Sequence, residues 1–170
     1  RQETLLSQFK RQMKDSPYLS LRIDDRKALS LCLISLTYPI AYDLLVALAQ
    51  GFKVQNQINK KFISEKVKSI YGSNRTVDVA IDALIPMIIE LNTIKIEKVS
   101  IYSMASKLAI TNKFVSELII YTDIKLSGSK SILVDDLGFK PWYSYFNIEA
   151  VNLYKFEALI SKKDSAVGKG

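Results

Sequence analysis

The sequence predicts a mainly α-helical fold with a small β-hairpin, in the α+β class. Two patterns predict it: apolar residues recur at helical spacing through most of residues 2–91, and after Asn92 they alternate with polar ones. The low content of Gly and Pro, 6 and 4 of 170 residues, argues against a disordered or fibrous chain. A chain of this length buries roughly 70% of its unfolded surface, so its core needs no disulfide or metal ion.

Three helices are predicted in the first third of the chain. Residues 2–14 form an amphipathic helix. The second helix spans residues 24–36 and opens with Asp24 and Asp25, whose carboxylates we expect to cap its N-terminus. The third helix spans residues 39–52, because proline suits the first turn of a helix.

The middle of the chain is predicted to contain a short strand, two helices and a tight turn. The strand covers residues 55–59, and Ser64 caps a short helix over residues 65–71. Gly72-Ser73-Asn74 forms the turn. Ser73 or Asn74 then caps a longer helix over residues 75–91.

Alternating residues after this helix predict a two-stranded hairpin. Its strands cover residues 93–98 and 99–103, with the turn near Glu97-Lys98. Thr111 then caps a further helix over about residues 112–125.

The chain divides into three segments, which we expect to form one compact domain. Residues 1–38 are an N-terminal helical segment, residues 39–104 hold the elements from the third helix to the hairpin, and residues 105–170 are a helix with a mixed, aromatic-rich extension. Residues 151–161 fit a strand as well as a helix, and the polar tail from Lys162 is expected to fray.

Composition argues against an enzyme. The chain has no histidine, which excludes His-based acid–base catalysis and most transition-metal sites. Cys32 is the only cysteine and has no neighbouring base in the sequence, so we expect a buried, inert thiol. Neither GxxxxGK[ST] nor GxGxxG occurs. We therefore expect no catalytic residues, no cofactor and no metal ion.

The positive charge is concentrated in one region. The net charge is +7, and the stretch from Lys53 to Arg75 holds six basic residues against Glu65 alone, a balance of +5. Such a focus is typical of proteins that bind an anionic partner such as nucleic acid. A solvated lysine face that promotes solubility is the other interpretation.

The order of elements over residues 39–104 is helix, strand, helix, tight turn, helix and hairpin. This order resembles the winged helix-turn-helix fold, on the helix 39–52, the strand 55–59, the helix 65–71, the turn 72–74, the helix 75–91 and the wing 93–103. The resemblance implies duplex DNA as the partner, with the start of the helix after the turn in the major groove. The implied DNA contacts are Ser73, Asn74, Arg75 and Thr76 on that helix, Lys60, Lys61, Lys66 and Lys68 beside it, and Lys95 and Lys98 on the wing.

An alternative is a protein-interaction module that uses the same fold. Asp78 and Asp82 lie one turn apart on the presumed recognition helix, where carboxylates would repel phosphates. They could contact a protein partner or a second copy of the chain, together with the aromatic cluster Trp142, Tyr143, Tyr145 and Phe146. A cluster that only closes the core is the simpler interpretation of these aromatic residues.

No targeting or membrane signal is evident. Residues 1–15 have mixed charge and no apolar stretch, and the longest charge-free run, residues 28–42, is shorter than the roughly 20 residues that a membrane span needs. We expect no membrane partner and a cytoplasmic or nucleoid-associated protein.

Overall fold

The computed structural model describes residues 2–15, 18–153, 156 and 158–163. The fold is mainly helical with a small antiparallel sheet, which confirms the predicted class. The helices are α1 (Gln2–Asp15), α2 (Ile23–Thr37), α3 (Pro39–Phe52), α4 (Lys60–Tyr71), α5 (Arg75–Glu90) and α6 (Lys113–Leu126). The strands are β1 (Ile58–Asn59), β2 (Ile94–Lys98), β3 (Ile101–Met104), β4 (Leu108–Ile110) and β5 (Phe146–Ile148). Short 3-10 segments cover Tyr18–Ser20, Val134–Gly138, Pro141–Tyr145 and Ala150–Leu153.

The predicted hairpin is the larger part of a three-stranded sheet. The strand order is β1-β3-β2, and both neighbours of β3 run antiparallel to it. The hairpin turns at Val99 and Ser100 rather than at Glu97-Lys98, and Ser100 adopts a φ of 59° there. A left-handed residue in this turn compensates for the lack of glycine.

The structure contains a second sheet that was not predicted from the sequence. β4 and β5 pair in parallel, with Leu108 opposite Phe146 and Ile110 opposite Ile148. Strands of three residues that are separated by a helix leave little periodicity in the sequence, because their burial depends on this distant pairing.

Asparagine side chains cap three helices. Asn59, Asn74 and Asn112 each accept a hydrogen bond from the backbone N–H three residues later, at 2.8, 3.1 and 3.0 Å. The cap at Asn74 confirms one of the two predicted positions. The caps predicted at Ser64 and Thr111 are wrong: α4 begins five residues earlier than expected, and α6 is capped by the residue after Thr111.

Asp24 and Asp25 join α2 to a distant part of the chain instead of capping it. Asp24 accepts a hydrogen bond from the N–H of Ala109 at 2.8 Å. The buried Asp25 accepts from the N–H and hydroxyl of Thr111, at 3.0 and 2.8 Å, and from the N–H of Asn112 at 3.2 Å. The pair lies in the first turn of α2, where acidic charge is favourable, but its hydrogen bonds anchor β4 and the start of α6.

Helix α6 runs through the core. Its residues 114–120 are all buried, including Glu117, whose carboxylate accepts from the N–H groups of Ala158, Leu159 and Ile160 at 2.6 to 3.0 Å. A helix that is buried on every face packs against neighbours on all sides. The ambiguous stretch 151–161 is a 3-10 turn over Ala150–Leu153 followed by irregular chain, with 154, 155 and 157 outside the described residues; most of the tail lies outside them too.

Within the described ranges, no single helix is long and apolar enough to cross a membrane. Only α2 and α3 taken together reach that length and composition, and the chain bends by 119° between them.

Candidate nucleic-acid interface

The elements from α3 to β3 follow the predicted order, and they bring α4, α5 and the wing together. The wing is defined here as β2, β3 and the turn between them. The backbone N–H of Lys60, the first residue of α4, donates to the carbonyl of Ser100 in the wing turn at 2.9 Å. The side chain of Lys60 reaches Asp82 on α5. One residue therefore links all three elements on which DNA contacts were predicted.

The tip of α5, defined as residues 73–76, is exposed. Gly72 precedes it with a φ of 89°, a conformation that glycine adopts without strain, and the N–H of Gly72 closes α4 on the carbonyl of Lys68 at 2.8 Å. The side-chain oxygen of Asn74 is engaged as the cap of α5. Asn74 therefore holds the tip in place, while Ser73, Arg75 and Thr76 are the residues whose side chains are presented to solvent.

Two of the predicted DNA-binding lysines form ion pairs with the two aspartates of α5. Lys60 Nζ lies 2.5 Å from an oxygen of Asp82, and Lys68 Nζ lies 2.6 Å from an oxygen of Asp78. The hydrogen bond to Asp82 raises the pKa of Lys60, and partial desolvation opposes that shift. The positive charges of Lys60 and Lys68 are thus neutralised by carboxylates of α5, the helix that was expected to enter the DNA groove. Spacing in the sequence does not reveal this pairing.

The other lysines predicted to contact DNA have weaker partners, so they are more available to phosphates. Lys61 lies 3.9 Å from Glu65 and Lys95 lies 3.8 Å from Glu97, both at the outer limit for an ion pair between exposed side chains. Lys66 lies over the ring of Phe62, at 5.6 Å from its centre.

Arg75 and Lys98 are exposed, and neither forms an ion pair within the described part of the chain. The free positive charge is therefore at the tip, on the outer side of α4 and on the wing.

The outer face of α5 has an apolar stripe that the sequence analysis missed. Val79, Ala83 and Met87 are exposed at helical spacing, and Val79 is 57% exposed. These positions fall between the buried residues of α5, so they could have been found as a second periodic series in the sequence. After Thr76, α5 presents apolar side chains and paired carboxylates rather than free positive charge.

The aromatic cluster is core, and its proposed role as a protein interface is wrong. Trp142, Tyr143, Tyr145 and Phe146 are each at most 6% exposed. The indole N–H of Trp142 donates to the carbonyl of Ile119 at 3.0 Å, which fixes it against α6. Aromatic residues bury the most apolar area of any side chain, and here they close the C-terminal segment over the core.

A buried carboxylate organises the polar groups around this cluster. Asp123 is fully buried and accepts from the hydroxyl of Tyr42 at 2.7 Å, from the hydroxyl of Tyr143 at 3.0 Å and from the ammonium of Lys140. Burial and the Asp123 carboxylate raise the pKa of both tyrosines. Each polar group is satisfied by another, as expected of a structural network.

The described residues contain no group of three or more acidic or cysteine side chains that could hold a metal ion. Comparison with protein-family models, with curated protein sequences and with solved structures gives no match to this chain. Geometry and charge are therefore the basis on which its function is proposed.

Proposed function

We propose that this chain binds duplex DNA through the tip of α5, the outer side of α4 and the wing. The observation that carries the proposal is that exposed, weakly paired cations occur on all three of these adjoining elements: Lys61, Lys66, Arg75 and Lys98. Phosphate contacts by such residues supply most of the affinity of proteins for DNA. The resemblance of residues 39–104 to winged helix-turn-helix domains supports the same partner.

The approach of α5 to DNA is limited to its tip. Asp78 ends the first turn and Asp82 lies one turn further, both with side chains about half exposed, and deeper insertion would bring them against phosphates. Arg75 at the tip has the geometry to bridge the edge of a guanine, and Ser73 and Thr76 have hydroxyls that can donate to phosphate. The positive end of the α5 helix dipole is favourable for phosphate beside Arg75 and Thr76, while the N–H of Val77 is taken by the cap at Asn74.

The test is a fluorescence-anisotropy titration with random-sequence duplex DNA at low and moderate salt. We expect affinity to fall by orders of magnitude as salt rises, because bound phosphates release counterions. Arg75→Ala and Lys98→Ala should each weaken binding and flatten the salt dependence by about one counterion. Lys130→Ala, at an exposed position in the loop after α6, is the matched control and should bind like the unmodified chain. Absence of binding at low salt, or binding that is insensitive to salt, would contradict the proposal.

The apolar stripe on α5 favours a second candidate, a module that binds another protein. Val79, Ala83 and Met87 could pack against a partner helix in the way that amphipathic helices enter apolar grooves. This candidate requires that the chain fail to bind DNA at low salt and that Val79→Ser with Met87→Ser abolish capture of a protein partner. Trp142→Ala does not discriminate, because removal of a buried tryptophan damages the core.

A further inference from the structure

An open cavity of about 370 Å³ lies between the end of α3, the end of β3 and the C-terminal segment. None of its lining residues belongs to the tip of α5, and none is one of the four exposed cations proposed to contact DNA. Its volume is near the lower end of the range of about 300–1,000 Å³ that is typical of small-molecule sites. It would hold a small molecule rather than a protein segment.

The lining of the cavity is mostly apolar and rich in aromatic rings. Phe52 comes from α3, Met104 from β3, Tyr143 from the 3-10 segment Pro141–Tyr145, and Phe146 from β5. Flat aromatic rings and a flexible thioether accommodate another aromatic ring well, because ring pairs stack or meet edge to face and sulfur makes favourable contacts with rings.

All the charge that lines the cavity is positive. Lys53 and Lys107 are its charged residues, both side chains are exposed, and no carboxylate lines it. The ammonium of Lys53 donates to the carbonyl of Phe139 at 2.7 Å, which leaves two of its N–H groups for another acceptor.

A neighbouring depression attracts an anion less than the cavity does. It shares Phe52 and Met104 with the cavity, but its charges oppose each other: Lys95 and Glu97 both line it, with the ammonium 3.8 Å from a carboxylate oxygen. The negative group of a ligand is therefore attracted to the end with Lys53 and Lys107, which no carboxylate lines.

We propose that this cavity binds a small aromatic carboxylate, with its ring against Phe52 and Met104 and its carboxylate at Lys53 and Lys107. Two ammonium groups beside an apolar floor match the two halves of such a molecule. A cation would be repelled by the two lysines, and a neutral aromatic molecule would contact only the apolar lining. The inference does not depend on DNA binding, because it rests on different residues.

The experiment is calorimetric titration of the whole chain with naphthalene-2-carboxylate and, separately, with the neutral 2-naphthylmethanol. We expect saturable binding of the carboxylate, about tenfold tighter than that of the alcohol, which corresponds to about 1.4 kcal/mol. Backbone amide shifts should move at Leu137, Ser144 and Ile148, which also line the cavity. Absence of saturable carboxylate binding at millimolar concentration, or equal affinity for both probes, would overturn the proposal.

Matched variants distinguish binding in the cavity from nonspecific attraction of an anion to a basic protein. Lys107→Met should weaken carboxylate binding by about threefold, because Lys53 remains, and Lys107→Glu by about tenfold. Both variants should leave the alcohol unchanged, whereas Lys130→Glu should affect neither probe. Lys107 is exposed, so these variants should retain the thermal midpoint of the unmodified chain. Equal weakening by Lys107→Glu and Lys130→Glu would show nonspecific attraction and overturn the assignment.

Discussion

Lys60 at the start of α4 and Asp82 in the middle of α5 form an ion pair of 2.5 Å across the two helices that were expected to hold DNA. One turn towards the tip, Asp78 forms the equivalent pair with Lys68 at 2.6 Å. Both pairs are partly exposed, so each stabilises the fold by no more than about 1 kcal/mol. Their larger effect is on charge, because they neutralise two lysines that could otherwise contact phosphates.

Removal of these two acids should therefore strengthen DNA binding. In the variant Asp78→Asn with Asp82→Asn, Lys60 and Lys68 lose their partners, and the slope of log affinity against log salt should steepen by up to about 2, at about 0.9 for each new phosphate contact. Anisotropy titrations at several salt concentrations measure the slope. Glu90→Gln, at the exposed end of α5, is the control for charge removal on the same helix. An unchanged slope in the double variant would mean that these lysines do not reach DNA.

Removal of the buried carboxylate of Asp123 should strongly destabilise the chain. Asp123→Asn leaves the ammonium of Lys140 without its counter-charge beside two buried tyrosine hydroxyls. Breaking a buried pair in this way costs about 3–5 kcal/mol.

Urea unfolding measures this loss in the free energy of unfolding. Asp43→Asn is the comparison, since Asp43 accepts from the hydroxyl of Tyr71 at 2.5 Å at the surface, and it should cost about 1 kcal/mol or less. Similar losses in the two variants would refute the special role of Asp123.

The thiol of Cys32 should be unreactive in the native chain. Burial raises its pKa from the ordinary 9.0 to about 12, with a hydrogen bond involving Thr122 as a smaller opposing effect. At pH 8 only about one thiol in ten thousand is ionised at such a pKa, and the thiolate is the nucleophile.

Iodoacetamide at pH 8 should therefore alkylate Cys32 only in denaturant, as mass spectrometry would report. Because the folded pKa is raised, the contribution of this thiol to stability is complete below pH 9 and decreases as pH rises towards 12. Rapid alkylation of the folded chain would contradict its burial.

Gly51 should be required for the close approach of α3 to β1 and α4. A Cβ atom at this position would clash with the side chain of Ile58 and lie 2.8 Å from a ring carbon of Phe62. Gly51→Ala should destabilise the chain by up to about 2 kcal/mol. Overpacking costs about 1–3 kcal/mol, and the higher helix propensity of alanine offsets about 1 kcal/mol of that loss.

The matched control is Gly138→Ala, where a Cβ atom meets no other atom within 4 Å. Thermal unfolding should show this variant to be as stable as the parent or slightly more stable, since it restricts the unfolded chain. Equal midpoints for the two alanine variants would show that α3 moves to accommodate the added methyl group.

Elements with a local signal could be predicted from the sequence. α5 begins after Asn74 as expected, because a side-chain cap and the apolar period act within a few residues. α4 was predicted too short because its start depends on the cap at Asn59 and on the contact between Lys60 and Ser100 in the wing. A contact between residues forty apart leaves no periodic mark in the sequence.

The sequence predicted which residues form the candidate site but not which of their charges pair with each other. Every cation proposed to bind DNA was named from the sequence, and so were Asp78 and Asp82, but spacing could not show which lysine each aspartate would face. The apolar floor and two lysines of the cavity also come together from distant segments, so neither could be recognised before the chain was folded.

The sequence by itself determined the mainly helical class, the order of elements from α3 to β3, and the absence of histidine chemistry, because periodicity, caps and composition are local properties. Only the tertiary structure decided that the aromatic cluster is buried against α6 and that Asp25, Glu117 and Asp123 each bond to segments far along the chain. A carboxylate can be buried only where other parts of the chain supply its hydrogen bonds, and those partners are set by packing rather than by spacing.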